Sequence, residues 1–357
     1  MVENVKELLK AHEGITHEVY LDNENSSLVP TEVVDAMLPY YNQRAYGNPT
    51  LNKKHVGKKI VISEIEPINV LHVAELLQKY GFTTTKIPVD NEGVIKLEKL
   101  QETIDKETIL VSISDVNNEI GTVQPLKEAL EIVKDKNMET IFHTDASDAY
   151  GRIPLNVQDL KVDMATVSSY KILGPRGIGA LYIRNGVNLE KILEGQIGTQ
   201  KLWPGVENTP LIVGFTKASE LAFQDFEANV NHMRKLRDKL VGGIFKKVPD
   251  VRLNGSTGDK RAPDNANISF QRCEGEALTI ELSLKGVYVS SGSACTRRLL
   301  QPSHVLIAIG RKFSEAHGSI LMKTTRYHTE EDITHVLEVI PSAVERIRGI
   351  VGSTGVD

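Results

Sequence analysis

Two hydrophobic patterns alternate along the first half of the chain. Short apolar runs of strand length, such as Lys59–Ser63 and Thr108–Ile113, are separated by stretches in which apolar residues recur with the period of a helix, such as Ile68–Tyr80 and Pro125–Asp135. The same reading predicts a helix at Lys96–Ile104 and strands at Thr83–Pro88, Thr140–His143, Met164–Val167 and Gly179–Ile183. Alternation of this kind predicts an α/β fold with a mostly parallel central sheet and helices on both faces.

The pattern changes in the second half of the chain. Pro210–Lys239 has one long helical period, and it is followed by short strands and a final helix at Thr329–Ile347. This α+β pattern predicts a smaller C-terminal unit. Because 357 residues exceed what a single core usually serves, we expect two domains. The large domain is placed at residues 16–225, and the small one at 226–357 together with residues 1–15.

Composition narrows the classes of function. Forty-two basic and 47 acidic side chains give a net charge of −5, which disfavours binding to nucleic acid. No apolar run reaches about 18 residues, so we expect no membrane span. Two cysteines are too few for a disulfide framework, which indicates a reducing, cytoplasmic setting. No cysteine or histidine spacing typical of a metal site occurs, and we expect no metal.

The segment 143–184 carries the first candidate chemistry. Asp145 ends a predicted strand, where open parallel sheets bind ligands. Lys171 follows 26 residues later and precedes Gly174-Pro-Arg-Gly177, whose small residues allow a sharp turn. Pyridoxal phosphate enzymes need a lysine for the Schiff base and an acid for the pyridine nitrogen. From spacing alone, a solvated lysine and a helix-capping aspartate remain the alternative.

The second candidate is Cys295, in Ser290-Ser-Gly-Ser-Ala-Cys295. Small, polar flanking residues leave a sulfur accessible, and its thiolate is the nucleophilic form. A buried, inert cysteine is the alternative, and it is the interpretation we give to Cys273, which has no such flanks.

Several stretches resemble the cysteine desulfurases, the NifS- and IscS-like enzymes of the class V aminotransferase fold (fold type I of the pyridoxal phosphate-dependent transferases). They include Val116-Asn-Asn-Glu-Ile-Gly-Thr, Ser168-Ser-Tyr-Lys171 and Ser-Gly-Ser-Ala-Cys295, and the resemblance runs from about Tyr20 to Gly349. It implies that Lys171 links covalently to pyridoxal phosphate and that Cys295 takes the sulfur of L-cysteine as a persulfide.

The resemblance also assigns binding roles around these two residues. Asp145 is expected at the pyridine nitrogen, Ser168 at the phosphate, and Asn118 at the ring hydroxyl and the substrate. Arg326 aligns with the arginine that binds the substrate carboxylate. Asp148 and Tyr170 occupy the positions of a family glutamine and a family histidine that touch the cofactor, so both are counted as cofactor-binding.

The chain also departs from the family pattern. After Asn48-Pro49 the family continues into a Gly-Ala-Thr-Glu loop that holds the phosphate, whereas here several dozen residues are missing before Lys59. Pro67 replaces a histidine that stacks on the pyridine ring, and Val206 replaces a phosphate-binding threonine of the neighbouring subunit's site.

Three functions stay open at this point. The first is a desulfurase that forms L-alanine, acts as a homodimer, and passes sulfur to an iron–sulfur scaffold or another acceptor protein. The second is an inactive or impaired relative that binds such a partner. The third is a pyridoxal phosphate enzyme for another amino acid, such as selenocysteine or an aspartate-like substrate, which Cys295 makes less favourable.

Overall fold

The computed structural model describes residues 17–24, 29–34, 36–37, 57–189, 207–291 and 302–353, without the side chains of 351–353. Within these ranges no helix is both long and apolar enough to cross a bilayer.

A six-stranded sheet forms the centre of the first half, in the order β3-β2-β4-β5-β6-β7. All neighbouring pairs are parallel except β6 and β7, which are antiparallel. The strands are β2 (Lys59–Ser63), β3 (Thr83–Ile87), β4 (Thr108–Ser112), β5 (Ile141–Asp145), β6 (Met164–Ser168) and β7 (Gly179–Ile183). The predicted mostly parallel sheet and its strands are confirmed, with ends that differ by one or two residues.

Helices connect these strands and cover the sheet. In chain order they are α1 (Ile68–Gln78), α2 (Leu97–Thr103), α3 (Leu126–Lys136) and α4 (Val157–Leu160). The apolar residues of α2 and α3 pack with β4 and β5 in one core that includes Leu100, Leu126, Val111 and Phe142. The pairing register of these strands is strongly specified, because a shift of one residue would turn their buried side chains away from this core.

The second half contains two smaller sheets. Four antiparallel strands follow the order β11-β12-β9-β8, and β1 pairs in parallel with β10. Their bounds are β1 (Val19–Tyr20), β8 (Val251–Leu253), β9 (Asn265–Phe270), β10 (Val287–Tyr288), β11 (Ser290–Ser291) and β12 (Ser319–Lys323). Residues 19–20 therefore lie in the C-terminal sheet region, although the predicted large domain included them; the boundary near residue 225 stays a prediction.

The helices of this half are α5 (Thr209–Phe223), α6 (Phe226–Lys247), α7 (Gly275–Ser283), α8 (His304–Ala308), α9 (Phe313–His317) and α10 (Glu330–Ser353). The single helix predicted over Pro210–Lys239 is wrong, because Asp225 has non-helical backbone angles (φ −129°, ψ 50°) and separates α5 from α6. The apolar period continues across the break, so the hydrophobic pattern alone does not locate it. Leu236 and Leu240 of α6 pack on Ile333 and Ile340 of α10.

Candidate active site

A cavity of about 240 Å³ opens at the carboxyl ends of the parallel strands. Pro67 follows β2, Asn118 follows β4, Asp145 ends β5 and Ser168 ends β6, and all four line this cavity. Side chains that follow separate strands meet here because the carboxyl ends of parallel strands lie at the same edge of the sheet. The resemblance to the cysteine desulfurases implied that Asn118, Asp145 and Ser168 lie around one cofactor, and for Asp145 the end of its strand indicated the same edge of the sheet.

Lys171 reaches the cavity from a sharp turn after β6. Residues Ser169–Ile172 form one 3₁₀ turn, and Leu173 then adopts a left-handed backbone with φ of 70°. Gly174 is required next, since a Cβ there would lie 2.2 Å from the Oγ of Ser169. The guanidinium of Arg152 donates to the carbonyl of Lys171 at 2.6 Å and fixes the turn from behind.

Lys171 belongs to a group of four largely buried charges. The Nζ of Lys171 lies 2.7 Å from Glu24 Oε1 and 2.9 Å from Asp148 Oδ2. The Nζ of Lys323 lies 2.5 Å from Glu24 Oε2 and 2.5 Å from Asp148 Oδ1. Each carboxylate therefore bridges both ammonium groups. We call these four residues the cavity cluster.

Electrostatics favour the charged forms of Lys171, Asp148 and Glu24. Burial alone would lower the pKa of Lys171, but the carboxylates of Asp148 and Glu24 outweigh burial and raise this pKa above its usual value. Burial alone would raise the pKa values of Asp148 and Glu24, and the two lysines lower both. Lys171 is thus an ammonium ion in this arrangement and must lose a proton before it can act as a nucleophile.

The other predicted cofactor residues lie around this cluster. Asn118 donates from Nδ2 to Glu24 Oε1 at 2.8 Å. Asp145 Oδ1 accepts from the backbone N–H of Ser147 at 2.9 Å, and the hydroxyl of Ser147 donates to that of Ser168 at 3.1 Å. The ring centre of Tyr170 lies 5.4 Å from the Nζ of Lys171.

One predicted residue, Arg326, is not brought into this arrangement, and another cannot be located. Arg326 does not line the cavity: its guanidinium stacks over the ring of Tyr327 at 4.9 Å and borders a separate space of about 20 Å³. Cys295 lies outside the described residues, as does Val206. The residues that precede and follow the cysteine segment, Ser291 and Ser303, line the main cavity. Cys273 is buried, and burial raises the pKa of its thiol.

A carboxyl group with a raised pKa, that of Glu119, also lines the cavity. Burial raises the pKa of Glu119 to about 8, although a hydrogen bond of 2.7 Å from Ser303 opposes this effect. Its Oε1 has no hydrogen-bond partner among the described residues, and the side chain lines the cavity. Burial likewise raises the pKa of Glu66, just before Pro67, to about 7. Such groups are frequent where chemistry occurs.

Sequence reasoning missed Glu24, Lys323 and Glu119. Glu24 directly follows a segment that matches the family pattern, Tyr20-Leu-Asp-Asn23, and Glu119 lies within another, Val116-Asn-Asn-Glu-Ile-Gly-Thr. Lys323 ends the apolar run Ser319-Ile-Leu-Met-Lys323 and is 2% exposed. A lysine at the end of a fully buried strand is a usable signal, because an unpaired buried ammonium would be very costly and implies an acidic partner.

Comparison with known proteins agrees with this geometry. The model of the aminotransferase class-V family matches residues 48–336. The cysteine desulfurase IscS 1 of Archaeoglobus fulgidus is 43% identical over 294 residues, which cover 82% of this chain and 76% of that protein. The cysteine desulfurase IscS of Methanosarcina thermophila is 38% identical over 381 aligned residues, with 93% of each chain covered.

The second alignment also bears on the missing segment. Its 381 positions exceed the 357 residues of this chain, so part of the relative has no counterpart here, as the gap before Lys59 implies. A solved NifS-like protein superposes with a TM-score of 0.81 and 30% identity, covering 94% of this chain and all of that one. The chain therefore belongs to the class-V aminotransferase family and is a homologue of the IscS and NifS cysteine desulfurases.

Proposed function

We propose that this protein is a pyridoxal phosphate-dependent cysteine desulfurase, which converts L-cysteine to L-alanine and places the sulfur on Cys295. The observation that carries the proposal is the position of Lys171, buried at the sheet edge beside Asn118, Asp145 and Ser168, in a chain whose relatives are named as cysteine desulfurases. Its homologues are enzymes that depend on this cofactor, so the alternative of an inactive partner-binding relative is not favoured.

The residues of the cavity fit the ring portion of pyridoxal phosphate. Lys171 offers an amine, Asp145 a carboxylate for a protonated ring nitrogen, and Asn118 an amide for the ring oxygen. Ser168 and Ser147 offer hydroxyl groups for a phosphate. When bound, the cofactor withdraws electrons from the carbon atoms of an amino acid.

The cavity offers few groups that could bind the phosphate of the cofactor. Lys171 is the only lysine or arginine among the cavity-lining residues that the structure describes, and two carboxylates already neutralise it. Each charge-assisted hydrogen bond contributes about 1.5–3 kcal/mol. Loss of the family's phosphate loop therefore lowers the expected affinity by a few powers of ten. We expect a cofactor that is held largely by its covalent link to Lys171.

Charged and acidic side chains of the cavity then control where protons are held. Glu24 and Asp148 hold the proton on Lys171, so these contacts must loosen before the lysine can react as an amine. Glu119 is a protonated acid at neutral pH that faces the same space, so it can donate a proton there. Arg152 holds the lysine turn in place and does not face the main cavity.

Sulfur transfer balances without an added oxidant. The thiol of Cys295 and L-cysteine give L-alanine and a Cys295 persulfide: one carbon–sulfur bond breaks, one sulfur–sulfur bond forms, and the substrate carbon gains a proton. An acceptor protein, such as an iron–sulfur scaffold, would then take the sulfur. We further propose that the protein works as a homodimer in the cytoplasm.

Measurement of alanine and sulfide tests this function. The purified full chain is incubated with pyridoxal phosphate, L-cysteine and a thiol reductant, and both products are quantified. We expect equal amounts of alanine and sulfide from the wild type, none from Lys171→Ala or Cys295→Ser, and unchanged rates from Cys273→Ser. Alanine formation that survives Cys295→Ser would reject the role of this cysteine, and absence of both products from the wild type would reject the activity.

A further inference from the structure

Four carboxyl groups line the cavity, those of Glu24, Asp145, Asp148 and Glu119. Glu24 and Asp148 pair with the lysines of the cavity cluster, and Asp145 is the acid that the proposed function assigns to the ring nitrogen. Within the part of the chain that the structure describes, the side chain of Glu119 pairs with no cation and has one hydrogen-bond partner, the hydroxyl of Ser303. It is therefore the lining carboxyl that is not committed to a lysine or to the cofactor.

The hydrogen bonds of Glu119 determine which of its oxygens carries the acid hydrogen. The Oγ of Ser303 accepts from the backbone N–H of Leu306 at 3.3 Å, as the N-cap of α8, and donates its own hydrogen to Oε2 of Glu119 at 2.7 Å. Oε1 is buried and has no partner among the described residues. Burial raises the pKa of this carboxyl to about 8, so the protonated form prevails at pH 7. Its hydrogen then lies on Oε1, where no described group competes with a ligand for it.

The backbone of Glu119 is held from two sides. Its carbonyl accepts from the Nδ2 atoms of Asn265 and Asn267 of β9, at 3.1 and 3.2 Å. Its N–H donates to Oδ1 of Asn117 at 3.0 Å. These contacts join the loop after β4 to the C-terminal sheet. A carboxyl that extends from a fixed backbone can hold its proton near one atom of a ligand, which is what a general acid requires.

The position of Glu119 matches the direction in which sulfur leaves the substrate. Asn118, the preceding residue, is a group that the proposed function assigns to the substrate. Ser291 and Ser303 precede and follow the segment that carries Cys295, and both line the cavity. Sulfur that passes from the substrate to Cys295 therefore leaves on the side of the cavity where Glu119 contacts Ser303.

We propose that Glu119 is the catalytic acid that gives a proton to the carbon from which the sulfur departs. This inference rests on the proposed function and assigns its proton donor. The thiolate of Cys295 forms the sulfur–sulfur bond, the electron pair of the broken carbon–sulfur bond forms the new carbon–hydrogen bond, and the Oε1–H bond of Glu119 breaks. The proton that the thiol of Cys295 releases restores the acid, so no oxidant or further reactant is needed.

The relative timing of the two products tests this assignment. The full chain with bound pyridoxal phosphate is given one equivalent of L-cysteine without a reductant. The persulfide on Cys295 is trapped by alkylation at successive times and measured by mass spectrometry, while released alanine is followed continuously with alanine dehydrogenase.

Two variants and one matched control are compared with the wild type. Glu119→Gln keeps the shape and an acceptor for Ser303 but has no acid proton, and Glu119→Asp keeps the acid on a shorter side chain. Glu66→Gln is the control, since Glu66 is another buried carboxyl with a raised pKa but does not line the cavity.

We expect the wild type to form the persulfide and release alanine together. Glu119→Gln should form the persulfide at nearly the wild-type rate and release alanine about a hundredfold more slowly, because a general acid typically contributes this factor or more. Glu119→Asp should recover part of the loss, and Glu66→Gln should keep the two products together. A distorted cavity would slow both products, so equal slowing of both in Glu119→Gln, or no slowing of either, would overturn the proposal.

Infrared spectroscopy of the cofactor-free chain tests the proton itself, without any turnover. The difference spectrum of the wild type and Glu119→Gln at pH 7 should contain the carbonyl stretch of a protonated carboxylic acid, and a spectrum with carboxylate bands alone would overturn the proposal. A wild type that forms neither persulfide nor alanine would reject the desulfurase and, with it, the role of the acid. Normal turnover with no effect of Glu119→Gln would reject the acid alone.

Discussion

Two ionic groups lie on opposite sides of Lys171, and they differ in what they face. The cavity cluster joins the Nζ of the lysine to carboxylates that line the cavity. On the other side, Arg152 holds the lysine carbonyl and pairs with Asp264 at 2.5 Å, with side chains that are 6% and 1% exposed. We call Arg152 and Asp264 the scaffold pair. Neither residue lines the main cavity.

The difference teaches that burial of charge does not by itself mark an active site. Both groups are almost fully removed from water, and both are ion-paired. Only the cavity cluster adjoins a space into which a ligand can bring new charges. The scaffold pair instead connects the lysine turn to the end of β12. Arg152 donates to the carbonyl of Lys171, and the carbonyl of Asp264 accepts from the backbone N–H of Thr324, one residue after β12. One group can exchange partners, and the other holds its partners in place.

The largest effect on stability is expected for the scaffold pair. Asp264→Asn removes the carboxylate that pairs directly with the buried Arg152, which should lower the free energy of unfolding by about 3–5 kcal/mol. Denaturant unfolding of the full chain measures this change. Arg152→Met/Asp264→Asn removes both charges and should recover much of the loss. A cost below about 1 kcal/mol for Asp264→Asn, within the range of exposed pairs, would erase the distinction between the two groups.

A smaller effect is expected in the cavity cluster. Lys323→Met leaves two carboxylates facing one lysine, but Glu24 borders the cavity and can turn toward water. We expect a loss of about 1–3 kcal/mol in the free energy of unfolding. A double-mutant cycle with Asp148→Asn measures the coupling, and the double variant should be more stable than the sum of the single losses predicts. Strict additivity would contradict direct contact between these charges.

The smallest effect concerns pH and Glu119. Its pKa is about 8 in the folded chain, against roughly 4.3 when unfolded. Between these values the folded chain keeps a proton that the unfolded chain has lost, so stability falls as pH rises. Glu119→Gln removes this contribution and should lose less stability than the wild type between pH 6 and 8. The difference should reach about 2 kcal/mol, given ~1.4 kcal/mol per pH unit for one proton.

Unfolding curves of both proteins at pH 6, 7 and 8 measure this difference. Glu66 and Asp115, whose pKa values burial raises to about 7, titrate in both proteins and cancel in the comparison. Parallel stability profiles of the wild type and Glu119→Gln would show that Glu119 is ionised in the folded chain, and would remove it as a proton donor.

The fold was largely predictable because its elements are strongly patterned. The apolar runs that became β2 and β4 have no alternative to a buried strand, and the helical period of Ile68–Tyr80 gave α1 within two residues. The break between α5 and α6 was not predictable, since the apolar period crosses Asp225 without interruption.

The site was predictable only where one segment carries its own signal. The turn after β6 needs Gly174. The small residues around Lys171 and their resemblance to the family pattern therefore marked this lysine as a candidate. The cavity cluster depends on Glu24 and Lys323, which lie 299 residues apart and meet only through the fold. The substrate contact of Arg326, implied by the family resemblance, stays a prediction, and its side chain borders a separate space of about 20 Å³ in this structure.

The central claim, that Lys171 anchors pyridoxal phosphate in this cavity, is tested most directly by trapping the bound cofactor. The purified full chain is mixed with pyridoxal phosphate, its near-visible absorbance is recorded, and borohydride reduction is followed by peptide mass spectrometry. We predict a saturable absorbance band and a single dominant pyridoxyl adduct on Lys171, both absent from Lys171→Ala. An adduct spread over surface lysines at equal yield, or a band that Lys171→Ala retains, would contradict the account.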